Sequence, residues 1–170
     1  MAGVLRSCSG LRASDSTISF LVVASSEICE KITDSLHLAA KNRKCRLVVH
    51  QCEAVSQVVK SRTNLAVDFI VFAIDGQVTH SISEVESNIS CIDENYVISG
   101  SVSLVYCHNT SGSFGMTYHR AKELSRKYCL RKFLNTDIQD AENCFLLAER
   151  LLTLAEEVVG LKTGFPLCNV

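Results

Sequence analysis

The stretch VDFIVFAI, Val67 to Ile74, constrains the architecture more than any other. It is almost wholly apolar, as a strand buried on both faces must be. A sheet covered on both faces needs helices on both sides, so the flanking segments decide the fold. They alternate. Thr17 to Ala24 reads as a first strand, followed by a helix with Ser25 or Ser26 as N-cap and an apolar stripe at Ile28, Ile32, Leu36 and Ala39/Ala40. The basic run KNRK ends that helix, and CRLVVH, Cys45 to His50, reads as a second strand. The segment from Gln51 to Ala66 is ambiguous, with Val55, Val58 and Val59 allowing a short helix.

After the turn Asp75-Gly76-Gln77, a capping box of Ser81 and Glu84 opens a helix with Ile82, Val85, Ile89 and Ile92 on one side. A loop, DENYVISG, leads to the strand SVSLVY, Ser101 to Tyr106. Then come a helix with Thr117, Ala121, Leu124 and Tyr128 on one side and a short strand, Lys132 to Thr136. The last helix has Asp137 as N-cap, a stripe from Ile138 through Ala141, Phe145, Ala148, Leu152 and Ala155 to Val159, and Gly160 as its stop. This order predicts a doubly wound α/β domain over residues 17–160, with a mostly parallel sheet of five to six strands and helices on both faces. Residues 1–16 read as a polar leader and 161–170 as a C-terminal tail.

Composition narrows the function. A chain of 170 residues with 47% hydrophobic residues, one proline and a net charge of -1 does not have neutralising nucleic acid as its main work. Nine cysteines, an odd number with no C-x-x-C pair, read as reduced, small hydrophobes of a cytosolic or nuclear protein. Zinc would need a second ligand pair beside Cys107-His108, and His37, His50, His80 and His119 are scattered. The run Ile18 to Ala24 follows a polar leader and lacks an A-x-A cleavage pattern, which argues against a signal peptide. No apolar run reaches the roughly 20 residues of a membrane helix.

In a doubly wound sheet, ligands bind outside the carboxyl ends of the strands. The first strand-to-helix junction can be laid on the phosphate-loop template G-x-x-x-x-G-K-S/T. Ala24 and Cys29 then stand for the glycines, Glu30 for the lysine and Lys31 for the metal-binding hydroxyl. Glu30 opposes a phosphate, since like charges about 4 Å apart repel by roughly 4 kcal/mol at an effective dielectric of 20. Asp75 could suggest a phosphate-accepting receiver, but the first strand ends in Ala24-Ser25-Ser26 with no acidic pair, so a turn is the better reading. At the next strand end Cys107, His108 and Thr110 take the places of the guanine-reading N-K-x-D. Cys107 and His108 do not make a nucleophile and base, because neighbours on a strand point to opposite faces. Arg120, Lys122, Arg126, Lys127, Arg131 and Lys132 gather in one region, read as a solvated helix face or a local patch that meets an acidic or nucleic-acid surface.

VDFIVFAIDGQVTHSISEVESNI resembles the fourth strand and following helix of Ras-like small GTPases, and the segment from Tyr118 to Ala155 resembles their last helix-strand-helix unit. With DFIVFAID, SISEVESNI, SGSVSLV and TGFPLCNV in this order, the chain is similar to the centromere protein M family, pseudo-GTPases of the inner kinetochore. The resemblance implies a small-GTPase-like frame with shortened switch regions. It also implies a non-catalytic structural subunit that binds centromere protein I most directly, with centromere proteins H and K. Nuclear, centromeric localisation follows, with no cofactor, no metal, no small-molecule substrate and no membrane; direct DNA contact is not expected. Tyr96, Val97 and Ile98, and in the tail Phe165, Leu167 and Val170, are the partner-binding candidates. The competing reading is a divergent nucleotide-binding or receiver-like signalling protein, separated from the first by whether the phosphate cradle is intact.

Overall fold

The computed structural model describes residues 5–6, 17–43, 45–60, 65–109 and 115–161. In chain order the elements are β1 (Leu5–Arg6), β2 (Thr17–Val23), α1 (Ser26–Ala40), β3 (Arg46–Cys52), α2 (Val55–Lys60), β4 (Leu65–Ala66) and β5 (Phe69–Asp75). Then follow α3 (Ser81–Ile89), α4 (Glu94–Ile98), β6 (Val102–His108), α5 (Met116–Lys127), β7 (Lys132–Asp137) and α6 (Ala141–Val159). Five strands form one sheet in the order β3-β2-β5-β6-β7, every pair parallel, while β1 and β4 pair separately. Counting the main strands alone, this is the 2-1-3-4-5 order of flavodoxin-like doubly wound sheets. The parallel, doubly wound architecture read from the sequence is therefore the one observed.

Strand alternation divides the core. Ile18, Phe20 and Val22 of β2 and Phe69, Val71 and Ala73 of β5 meet α1 and α6 on one side. Leu21, Val23, Ile70, Phe72 and Ile74 meet residues of α2, α3 and α5 on the other. Phe20 and Phe69 are in register across the β2–β5 pair, with ring centroids 5.5 Å apart. Each such side chain, fully buried, contributes about 1.5–3 kcal/mol. Outside the core, Arg43 ties the end of α1 to α6: its guanidinium pairs with Glu149 and, at 2.7 Å, with Glu156.

Four local readings are corrected. Ser81 is not an N-cap; the cap position is His80, and the Ser81 hydroxyl donates to the carbonyl of Asp75 at 2.9 Å. Asp137 does not cap the last helix, because it forms the final pair of β7 with His108; Asp140 caps instead, accepting from the Glu142 N–H. The expected loop at Tyr96 is helix α4, capped by Asp93, which accepts from the Asn95 N–H at 2.8 Å. The second strand runs to Cys52 rather than ending at His50, because β2 pairs with it over its whole length. The ambiguous segment contains the helix α2, whose first N–H, on Val55, is capped from α3 by the Asn88 side chain. Gly160 ends α6 in the left-handed conformation, as glycine permits (φ 81°).

Candidate functional site

The strand order reverses beside β2, so the crevice to inspect lies between the carboxyl ends of β2 and β5. Ala24 leaves β2 with its N–H donated to the Cys52 carbonyl, at 3.2 Å, which holds the junction against β3. Beyond it the chain turns into α1 at Ser25, whose side chain makes no capping bond. Cys29 is 1% exposed, and its sulfur lies 3.4 Å from the Ala24 carbonyl, 3.7 Å from that of Val22 and 3.9 Å from that of Cys52. In the place of a loop glycine, then, a thiol rests among the carbonyl oxygens beneath the loop, its single S–H nearest that of Ala24. Burial pushes that thiol up from its ordinary pKa, partly offset by these backbone bonds, so it remains a donor.

The charges at this junction are also committed. Lys31 pairs with Glu27, one turn earlier, at 2.8 Å, and reaches Gln139 at 3.4 Å. Glu30 is exposed on the same first turns of the helix. The amino end of a helix favours an anion, and Glu27 already supplies one from within the chain.

At the end of β5, one Asp75 carboxylate oxygen accepts from the Gln77 N–H at 2.9 Å, the side-chain turn read from the sequence. The next residue, Gly76, lies close on β6: its N–H donates to the Cys107 carbonyl at 2.8 Å. A side chain there would collide, since a Cβ would stand 2.5 Å from the Tyr106 hydroxyl and 2.8 Å from the Cys107 carbonyl oxygen.

Cys107 and His108 part as strand neighbours should. Cys107 is 1% exposed and packs among the residues facing α1 and α6. His108 lies on the opposite side, its ring 6.4 Å from that of Tyr106. Burial, with Asp75 nearby, pushes the Cys107 thiol well above its ordinary pKa, the reverse of what a nucleophile needs. Cys52 is likewise pushed up to about 11, mainly by burial and further by Cys29. Thr110 lies outside the described residues.

One group here was not anticipated. Asp137, at the end of β7, is buried; one carboxylate oxygen accepts from the Gln139 N–H at 2.9 Å and the other has no hydrogen-bond partner among the described residues. Its position in sequence looked like a cap, and only the β6–β7 pairing reveals it as a strand end. Among the described residues no three His, Cys, Asp or Glu side chains come together in a way that could hold a metal ion.

The partner-binding candidates separate. Tyr96 is 3% exposed, and its hydroxyl donates to the Val67 carbonyl at 3.0 Å, so it belongs to the core rather than to a surface. Val97 packs partly against that core, whereas Ile98 is 69% exposed. Phe165, Leu167 and Val170 lie outside the described residues. The basic cluster divides too. Lys127 pairs with Glu86 of α3, and Lys132 is half-buried, donating to the Gly100 carbonyl at 3.0 Å with its ammonium 5.2 Å from the centre of the Phe69 ring.

Fold and edge together define a doubly wound, all-parallel α/β protein whose first strand-to-helix junction is tied up by its own Cys29 thiol and its Lys31–Glu27 pair. The chain belongs to the centromere protein M (CENP-M) family, whose family model matches residues 2–168, and it is accordingly a centromere and kinetochore protein. No curated protein sequence matches it. Among solved structures, oxidised flavodoxin 2 from Bacillus cereus aligns with 14% identity and a TM-score of 0.49, covering 82% of this chain and 98% of that one. Two-electron reduced Megasphaera elsdenii flavodoxin aligns with 12% identity and a TM-score of 0.46, covering 82% and 99%. A short-chain flavodoxin associated with a non-canonical PDU bacterial microcompartment aligns with 12% identity and a TM-score of 0.46, covering 82% and 98%. At that level of similarity they say nothing of what this chain binds.

Proposed function

We propose that this chain is a non-catalytic pseudo-GTPase that serves as a structural subunit of the inner kinetochore. It acts in the nucleus by stabilising a complex with centromere proteins I, H and K, and centromere protein I is its direct contact. The observation that carries this reading is the Cys29 thiol lodged on the carbonyls of the β2–α1 junction, beside a lysine already neutralised by Glu27. A phosphate would have to displace both without gaining a glycine loop. Family membership supports the assembly part of the reading, and the absence of loop glycines from the sequence supports its inactive part.

Thermal denaturation with and without GTP or ATP and magnesium tests the first half. A ligand at 100 times its Kd adds about 2.7 kcal/mol of stability; the expected result is no change, and a clear upward shift overturns the pseudo-GTPase assignment. Co-expression with centromere proteins I, H and K tests the second half, with one co-eluting complex expected. A chain that elutes alone overturns the subunit assignment.

A further inference from the structure

Six of the 17 basic residues and one of the 18 acidic residues fall between residues 116 and 132, so the rest of the chain carries an acidic excess. Structure removes two cations from this cluster, Lys127 to Glu86 and Lys132 to the Gly100 carbonyl. Arg120, Lys122, Arg126 and Arg131 remain; all are exposed, and none has an ion pair among the described residues. The inner side of α5 is fixed: Ala121, Leu124 and Ser125 are buried, and the Tyr118 ring meets Tyr106 edge-on at 5.3 Å. The opposite side is therefore held outward. Near its beginning stands Met116, 78% exposed. Helical spacing places it one turn before Arg120 and two turns before Glu123, on the same outward arc.

We infer that the outward face of α5, with Arg131 just beyond its end, docks an acidic segment of a protein partner, its carboxylates on Arg120, Arg126 and Arg131 and an apolar side chain against Met116. Arginine and methionine are enriched in protein interfaces, and an arginine fork takes a carboxylate with two parallel bonds. One feature favours a protein over a nucleic acid. Glu123 stands among the cations, where a polypeptide can place a matching cation and a phosphate backbone cannot. Such a face would serve an acidic partner whatever assembly the chain enters.

The test uses the full chain and a fluorescein-labelled glutamate-rich peptide with leucine at helical spacing, followed by anisotropy, beside a labelled random-sequence DNA duplex. The peptide should bind, and binding should weaken as salt rises from about 50 to about 200 mM. Arg120→Glu with Arg126→Glu should weaken it by at least about tenfold, the effect of losing charge-assisted contacts. Met116→Ala should weaken it by a smaller factor. Lys41→Glu with Arg46→Glu, which reverses two exposed cations elsewhere, should leave it unchanged. Unaltered circular dichroism melting would show that the α5 variants remain folded; should they unfold, Arg120→Gln with Arg126→Gln takes their place. Three results overturn the inference: no peptide binding, equal loss in both pairs of variants, or tighter binding of the duplex than of the peptide.

Discussion

Gly76→Ala probes how the turn after β5 is seated. Replacing a glycine whose backbone conformation suits alanine stabilises a protein by about 0.4–1 kcal/mol, through the unfolded state. Gly76 is not among the glycines with positive φ, so no backbone strain opposes the change. Space does oppose it. The added Cβ would stand 2.5 Å from the Tyr106 hydroxyl, 2.7 Å from its ring carbon and 2.8 Å from the Cys107 carbonyl oxygen, all below the 3.0 Å that real Cβ atoms respect. Neither neighbour retreats freely, since the Tyr106 ring is packed edge-on against Tyr118 and the Cys107 carbonyl belongs to β6. Overpacking of this kind costs about 1–3 kcal/mol, so the net effect is a loss of about 1–2 kcal/mol. For a domain of this size that lowers Tm by roughly 2–8 °C. Urea and thermal unfolding followed by circular dichroism measure it. In a Tyr106→Phe background the loss should shrink by about 0.5–1 kcal/mol, because the nearest contact is gone. An unchanged or raised Tm for Gly76→Ala would refute the claim that the turn rests on β6.

Cys129 closes α5 in the left-handed region at φ 53°, where a glycine is unstrained, so Cys129→Gly should stabilise the chain by about 1 kcal/mol in urea denaturation. Burial depresses the pKa of His50 below its ordinary 6.5, so the unfolded chain binds the proton more readily. The stability this group confers is therefore present above pH 6.5 and lost as pH falls through the lower folded value, and a pH series of melts on His50→Gln should show a smaller loss there. On the proposed function, Ile98→Asp, and separately Phe165→Ala with Leu167→Glu, should weaken the proposed complex with centromere protein I by about 2 kcal/mol in a titration while the isolated chain stays folded. Tyr96→Ala, by contrast, should melt the monomer by about 3–5 kcal/mol.

The parts of the fold legible in sequence are those whose signal is local and repeated. VDFIVFAI carries β5 because an all-parallel sheet buries both faces of its centre, and β5 is apolar up to Asp75. The stripe of α6 is equally plain over five turns. What sequence could not decide was which of two aspartates caps that helix. Asp137 and Asp140 are both competent, and the choice falls to the pairing of His108 with Asp137 across β6 and β7. Ser81 was misread for a similar reason, its hydroxyl being drawn to the Asp75 carbonyl rather than to its own helix. Tyr96 looked like surface because its partner, the Val67 carbonyl, is 29 residues away. At the candidate site, missing glycines and a misplaced lysine could be read directly. The seating of Cys29 on three carbonyls could not, for it depends on β3 arriving beside β2.

That seating bears on timing. A protein that exchanges one nucleotide for another carries a clock, and its partners can read the hour from the shape of the loops around the ligand. If the chain is the pseudo-GTPase proposed above, a thiol of its own occupies the junction, and nothing is loaded and nothing is released. On the proposed reading, the surface offered to partners is the same at every moment of the cell cycle. Its stability also contains no contribution from the level of a metabolite. Only other subunits can add to it. A copy left without them stays at its intrinsic stability and is open to removal by proteases, so the number of chains in a cell would follow the number of assembled complexes.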